Sequence, residues 1–152
     1  MSLTDYAWLA LAAYAVHMLE EYTFDWRNWA RAVIGLPVEW SDFYITNAVV
    51  VVISIAQAGL SGSVTAAPLS FAALMLINAT FFHVLPFIKA RGRFSPGLAT
   101  AVTLFYPIGI AEFVLARASA GEIILAFAIG AIMMAFPVVC LNLRNRPYFR
   151  QA

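Results

Sequence analysis

Charge is scarce in this chain, and thiol chemistry is nearly absent. One cysteine, Cys140, excludes an intramolecular disulfide and a Cys-based metal site. Nine Lys/Arg and eight Asp/Glu make up 11% of 152 residues, where a soluble domain carries about 25%. No basic face exists outside short loops, which excludes a nucleic-acid role. The start, Met1 to Asp5, lacks the basic n-region of a signal peptide, and no small-residue cleavage site follows the first apolar run. That run is therefore expected to remain in the mature protein.

What remains is apolar. Hydrophobic residues account for 63% of the chain, against roughly 45–50% in soluble domains. The composition predicts an all-α integral membrane protein, a single domain over 1–152 with the lipid bilayer as its first partner. Apolar runs of about 20 residues, the length that crosses a bilayer, fall at 3–21, 42–60, 68–88, 98–117 and 122–143. They predict a bundle of about five transmembrane helices. Residues 22–40 read differently: Trp26, Trp29 and Trp40 with Arg27 and Arg31 predict a short interfacial helix and turn, broken by Gly35 and Pro37. No internal repeat is evident.

The basic residues orient the bundle. With the C-terminus in the cytoplasm, Arg27, Arg31, Lys89, Arg91, Arg93, Arg144, Arg146 and Arg150 lie inside and only Arg117 lies outside. The positive-inside rule then predicts an inner-membrane protein with its N-terminus outside and its C-terminus inside.

Against this background the end of the first span is anomalous. His17, Glu20 and Glu21 stand at i, i+3 and i+4, on one face of a helix, where a span holds hydrocarbon. Ionisable groups inside a span are costly and by default mark a function. Counting 1.5 Å per residue from the cytoplasmic side, Asn47, Asn78, His83, Thr100 and Thr103 fall in the same layer, roughly 10 Å thick. Polar side chains of four helices at one depth are expected to face each other rather than lipid.

Two His and two Glu form a ligand set that Zn²⁺, Mn²⁺ or iron accepts. In that reading His17, Glu20 and His83 bind the ion, Glu21 is a fourth ligand or a general base, and Asn47 and Asn78 orient the ligands. Without a metal, Glu20 or Glu21 acts as a general acid with His17 relaying the proton. A structural reading stays open beside both, in which the carboxylates pair with Arg27 or Arg91 and the imidazoles bond to carbonyls. Tyr106-Pro107 reads as a kink whose phenol lines a cavity, and Thr103 and Trp26 join the substrate-facing set. Glu112 is expected to pair with Arg117 at the outer interface, with a buried acid or a relay member as the alternative readings. Gly109, Gly121 and Gly130 form no small-xxx-small face, so a homo-oligomer is left open.

His17-Met-Leu-Glu20-Glu21 resembles the HXXEE family of small bacterial membrane proteins. The likeness extends to His83 and to Phe94-Ser-Pro-Gly97-Leu-Ala-Thr100-Ala, ending at Pro107. It implies His17, Glu20 and Glu21 as the site, with His83, and implies no particular reaction. The architecture, though no motif, is also similar to the five-helix sterol isomerase fold (EXPERA), where acids and a His shuttle protons on a lipid alkene. The expected function is a membrane enzyme acting on an isoprenoid-, sterol- or fatty-type substrate that enters between helices. An ion, proton or solute transporter and an assembly or sensor subunit are the rival classes.

Overall fold

The computed structural model describes residues 1–144 and 146–149; Arg150, one of the basic residues that orient the bundle, lies outside the described residues. The described residues form helices and no strand. We label the main helices α1 (Leu3–Thr23), α2 (Trp26–Trp29), α3 (Trp40–Leu60), α4 (Ala66–Lys89), α5 (Leu98–Leu115) and α6 (Ala120–Arg144). Helices α3 to α6 are long and apolar enough to cross a membrane, and large apolar side chains such as Val52, Val114, Ile124, Ile132 and Phe136 stand exposed on them. A surface this apolar fits lipid, not water. Helix α1 is as long as α3, but Asp5, His17, Glu20 and Glu21 make it less apolar. It is not among the four.

Three of the helix starts, those of α1, α3 and α6, are closed by their own side chains. Ser2 and Asp5 close a capping box on α1, with Asp5 N–H donating to Ser2 Oγ at 3.2 Å and Ser2 N–H to Asp5 Oδ2 at 2.7 Å. Asp42 and Glu122 reach back in the same way to Glu39 N–H and Ser119 N–H, at 2.8 and 2.9 Å. The start of α5 has no cap of its own. Its cap comes from another helix.

Helix α4 is the axis of the bundle. Its residues Pro68 to Met75 are all buried, with α1, α3, α5 and α6 packed around it. Close approach of α6 depends on Gly130, where a Cβ would lie 2.8 Å from Leu74 N and 3.0 Å from Ala73 Cβ. Polar bonds zip α1 to α3: Gln57 Nε2 donates to Ala7 O at 3.0 Å, Ser61 Oγ to Thr4 Oγ1 at 2.8 Å, and Tyr14 OH to Asn47 Oδ1 at 2.8 Å. Bonds of this kind hold membrane helices together at about 0.6 kcal/mol each.

Two helices change pitch at the level of the polar layer. α4 widens to a π-helical turn at Ala79–Val84, and α5 does so at Ala101–Phe105. Each turn ends just before a proline-bearing segment, with Pro86 and Pro107 two residues beyond. A proline ring clashes with the carbonyl four residues back and removes a donor, and widening the preceding turn relieves both. The connector after α1 is the short α2, a π-helical turn at Ala30–Ile34, and an extended run to Glu39. Arg27 and Arg31 both clasp the Glu39 carboxylate. Trp29, only 8% exposed, packs with Ala30, Val38 and Leu141 of α6. Its indole is turned into the protein rather than outward as an interface anchor.

Candidate functional site

His17 projects from the penultimate turn of α1 and His83 from the π-helical turn of α4. They are 1% and 0% exposed. Their rings meet edge to face, 4.8 Å between centroids, and Phe105, brought inward by the α5 π-helical turn, covers His17 at 4.4 Å. Glu21, one turn beyond His17, points its Oε1 between the two imidazoles, 3.5 Å from His17 Nε2 and 3.5 Å from His83 Nε2. Among the described residues neither Nε2 has a hydrogen-bond partner.

The other ring nitrogens explain why. His17 Nδ1 lies 2.8 Å from Thr100 Oγ1, and that hydroxyl donates its one proton to Glu20 Oε2 at 2.6 Å. Thr100 must then accept from His17 Nδ1–H, which leaves Nε2 as a bare lone pair. His83 Nδ1 meets Ser95 Oγ at 3.3 Å. Oxygen partners on the far nitrogen are what metal-binding imidazoles have.

Glu20 does something else. Its carboxylate accepts from Ala99 N–H at 3.1 Å and from Thr100 N–H at 2.8 Å, and so caps the first turn of α5 from another helix, where negative charge is favoured. The expectation that Glu20 joins His17 and His83 is corrected: Glu21 does, because the α5 N-terminus has claimed Glu20. Pairing of these carboxylates with Arg27 or Arg91 is not found either, since Arg27 binds Glu39.

Gly97 roofs the cluster. It sits at φ +87°, and a Cβ there would lie 2.6 Å from His83 Cε1, 2.7 Å from His17 Cε1 and 3.0 Å from Glu21 Cγ. Only glycine permits both that backbone and that approach. Sequence reasoning left Gly97 and Ser95 out of the site. The Ser95-Pro96-Gly97 turn ahead of a helix was the available signal.

Glu21 also opens onto a cavity of about 90 Å³ walled by Tyr14, Trp26, Asn47, Asn78 and apolar side chains of α3 and α6. Trp26 Nε1 and Asn78 Oδ1 are buried with no partner among the described residues, and Asn47 is held by Tyr14 OH and by its own Nδ2 bond to Phe43 O at 2.9 Å. Trp26, Asn47 and Asn78 thus line one cavity, but none of them bonds to a histidine. Thr103 and Tyr106 do not join: Thr103 is exposed and donates to Ala99 O at 2.7 Å, and Tyr106 OH meets Thr80 Oγ1 at 2.9 Å. Both turn away because the π-helical turn rotates the α5 face. Glu112 is fully buried, with neither oxygen bonded among the described residues. The expected pair with Arg117 does not form: Glu112 faces the interior, whereas Arg117 lies past the helix end at Leu115 and, at i+5, about 140° around the axis from Glu112.

Tetrahedral zinc, with ligand bonds of about 2.0–2.1 Å, spaces its ligand atoms by roughly 3.4 Å. The two 3.5 Å separations at Glu21 Oε1 match that edge, and all three ligand atoms lie within 4.8 Å of one another. Two acceptor atoms, His17 Nε2 and Glu21 Oε1, face each other in a buried space and repel unless a cation, or a proton such as one on His83 Nε2, lies among them. Imidazole and carboxylate are donors of the kind that a borderline divalent ion accepts.

Fold and site together define a helical, multi-pass membrane protein with a buried His–Glu–His cluster at one end of its bundle. Residues 8–112 match the family described as protein of unknown function with HXXEE motif, and the chain belongs to that family. No curated protein and no solved structure matches it.

Proposed function

We propose that this chain is a membrane-embedded enzyme that acts on a lipid-soluble substrate at a metal centre formed by His17, Glu21 and His83. The observation that carries the reading is the convergence of two Nε2 atoms, without hydrogen-bond partners among the described residues, on one carboxylate oxygen at ligand spacing. A divalent ion of the Zn²⁺, Mn²⁺ or iron type would supply Lewis acidity or an activated water there. The protein's own groups do the rest. Thr100 and Ser95 hold the imidazoles in the ligating tautomer, Phe105 and Gly97 exclude water from their faces, and Glu21 links the centre to the cavity where a substrate head would lie.

In this reading α1 is a fifth crossing and the α2 segment lies in the interface. Seven of the eight described basic side chains stand at the site end of the bundle and Arg117 at the other. That split supports a cytoplasmic site in a bacterial inner membrane, N-terminus out and C-terminus in.

Elemental analysis of protein purified in mild detergent tests the centre, beside His17→Ala, Glu21→Gln and Glu20→Gln. Stoichiometric metal is expected in the wild type and in Glu20→Gln, and loss of it in the other two with helicity retained. Failure of the wild type to hold any of the three metals when they are supplied would sink the reading.

A further inference from the structure

A second, larger space adjoins the cavity. Between α3 and α6 an apolar groove of about 550 Å³ is walled by side chains such as Val49, Ile53, Ile132 and Phe136. It opens on the exposed apolar surface, where Val49, Ile132 and Phe136 are all exposed. At the site end it is closed by Asp42 and Arg144, which pair across the two helices at 2.5 Å. Groove and cavity meet along shared side chains, Thr46, Val50, Leu74, Met133, Pro137 and Leu141. Met133, unbranched and adaptable, is the wall residue best able to yield.

The two spaces differ in chemistry. The groove offers hydrocarbon contact. Among the described residues the cavity offers an unpartnered donor, Trp26 Nε1–H, an unpartnered acceptor, Asn78 Oδ1, and the Glu21 carboxylate. At about 90 Å³ it admits a head group of a few heavy atoms and excludes a phosphocholine or a sugar. Buried polar groups seek partners, since each left unmade costs about 1–3 kcal/mol.

We propose that groove and cavity bind one long-chain alcohol, its chain between α3 and α6 and its hydroxyl against Trp26 and Asn78 beside Glu21. A hydroxyl accepts from the indole N–H and donates to the amide oxygen, which an alkane cannot do and an ionised carboxylate does only in part. The inference deepens the reading of the Glu21 cluster as the reaction centre and rests on it, because the bound hydroxyl is the group that faces the centre. A bulk phospholipid chain lodged in the groove is the alternative occupant.

The test is photolabelling of the whole chain in phosphatidylcholine nanodiscs. The probes are 1-hexadecanol and hexadecane carrying the same mid-chain diazirine, with peptide mapping and metal content read on the same samples. The alcohol probe is expected to label α3 around Val49 and Ile53 and α6 around Met133 and Phe136, and to be displaced by unlabelled 1-hexadecanol. The alkane probe is expected to spread over the lipid-facing surface. Asn78→Leu and Trp26→Phe should each weaken groove labelling about tenfold, and two variants guard against one that fails to fold. Equal labelling by the two probes, labelling unaffected by both variants, or labelling on other helices overturns the proposal. Metal present without selective labelling defeats the alcohol site alone. Selective labelling without metal supports it and defeats the metal centre.

Discussion

Gly97→Ala is the sharpest perturbation of the cluster that leaves every ligand in place. The new methyl carbon would start 2.6 Å from His83 Cε1 and 2.7 Å from His17 Cε1, where ordinary contact begins at 3.4 Å. Something must move by about 0.8 Å, more than the roughly 0.5 Å within which a preorganised site keeps its geometry. Two costs add. A left-handed backbone costs an L-residue about 1–2 kcal/mol, and overpacking a filled interior costs about 1–3 kcal/mol.

Gly35→Ala separates the two. Gly35 sits at φ +71° with nothing within 4 Å of the point where a methyl would stand, so it reports the backbone cost alone. Unfolding in mixed micelles, followed by circular dichroism, should place Gly97→Ala about 1–3 kcal/mol below Gly35→Ala. Metal content should fall in Gly97→Ala and stay at the wild-type level in Gly35→Ala. Equal stability of the two variants, with metal retained in both, would refute the idea that Gly97 is there to let the loop touch the cluster.

Thr100→Val removes the hydroxyl that fixes the His17 tautomer, and metal affinity should drop by about 10–100-fold while stoichiometry at saturating metal persists; unchanged affinity in a competition titration would count against the tautomer argument. Glu20→Gln should cost about 0.5–2 kcal/mol through the weakened α5 cap without loss of metal, whereas Glu21→Gln should lose metal, and the reverse pattern would return Glu20 to the ligand set. The connector carries a pH signature. Hydrogen bonds from Arg27, and then from Arg31, hold the Glu39 carboxyl below its ordinary 4.5. A depressed acid stabilises the fold above its unfolded pKa and loses that contribution as pH falls through the folded one. Tryptophan emission should therefore hold steady down to about pH 4.5 and change below it, and a transition that survives in Glu39→Gln would assign it elsewhere.

Much of the scaffold was legible because hydrocarbon and loop chemistry differ sharply along the chain. The runs at 42–60, 68–88 and 122–143 became helices Trp40–Leu60, Ala66–Lys89 and Ala120–Arg144. Depth counting brought His17 and His83 to one level, because helical rise is the same in every sequence. What depth cannot supply is rotation. Glu20 and Glu21 differ by about 100° around α1, and which of them meets His83 depends on where α4 and the α5 N-terminus lie. Thr103 and Tyr106 were misjudged for the same reason, since a π-helical turn shifts the face of the residues within and after it. Pro86 and Pro107 were the visible cause of those turns, but a proline signals a disturbance without fixing its direction. Glu112 looked like half of an ion pair because Arg117 follows it by little more than one turn, but a residue at i+5 stands about 140° around a helix from residue i, and Glu112 faces inward.

The spacing His-x-x-Glu-Glu can now be read as one geometric device. Around a helix, a residue at i+3 sits about 60° to one side of residue i, and a residue at i+4 sits about 40° to the other. Glu20 and Glu21 therefore flank His17, and an imidazole has one nitrogen for each flank. On the Glu20 side Thr100 Oγ1 accepts from Nδ1–H and donates to the carboxylate. On the Glu21 side Nε2 and Oε1 stand 3.5 Å apart with His83 Nε2 completing the set. One carboxylate ties the histidine to the start of α5 and so sets which nitrogen is bare. The other stands where that bare nitrogen points. It follows that neither acid can replace the other: moved to the far flank, a carboxylate meets backbone N–H groups instead of imidazole, or imidazole instead of a helix end.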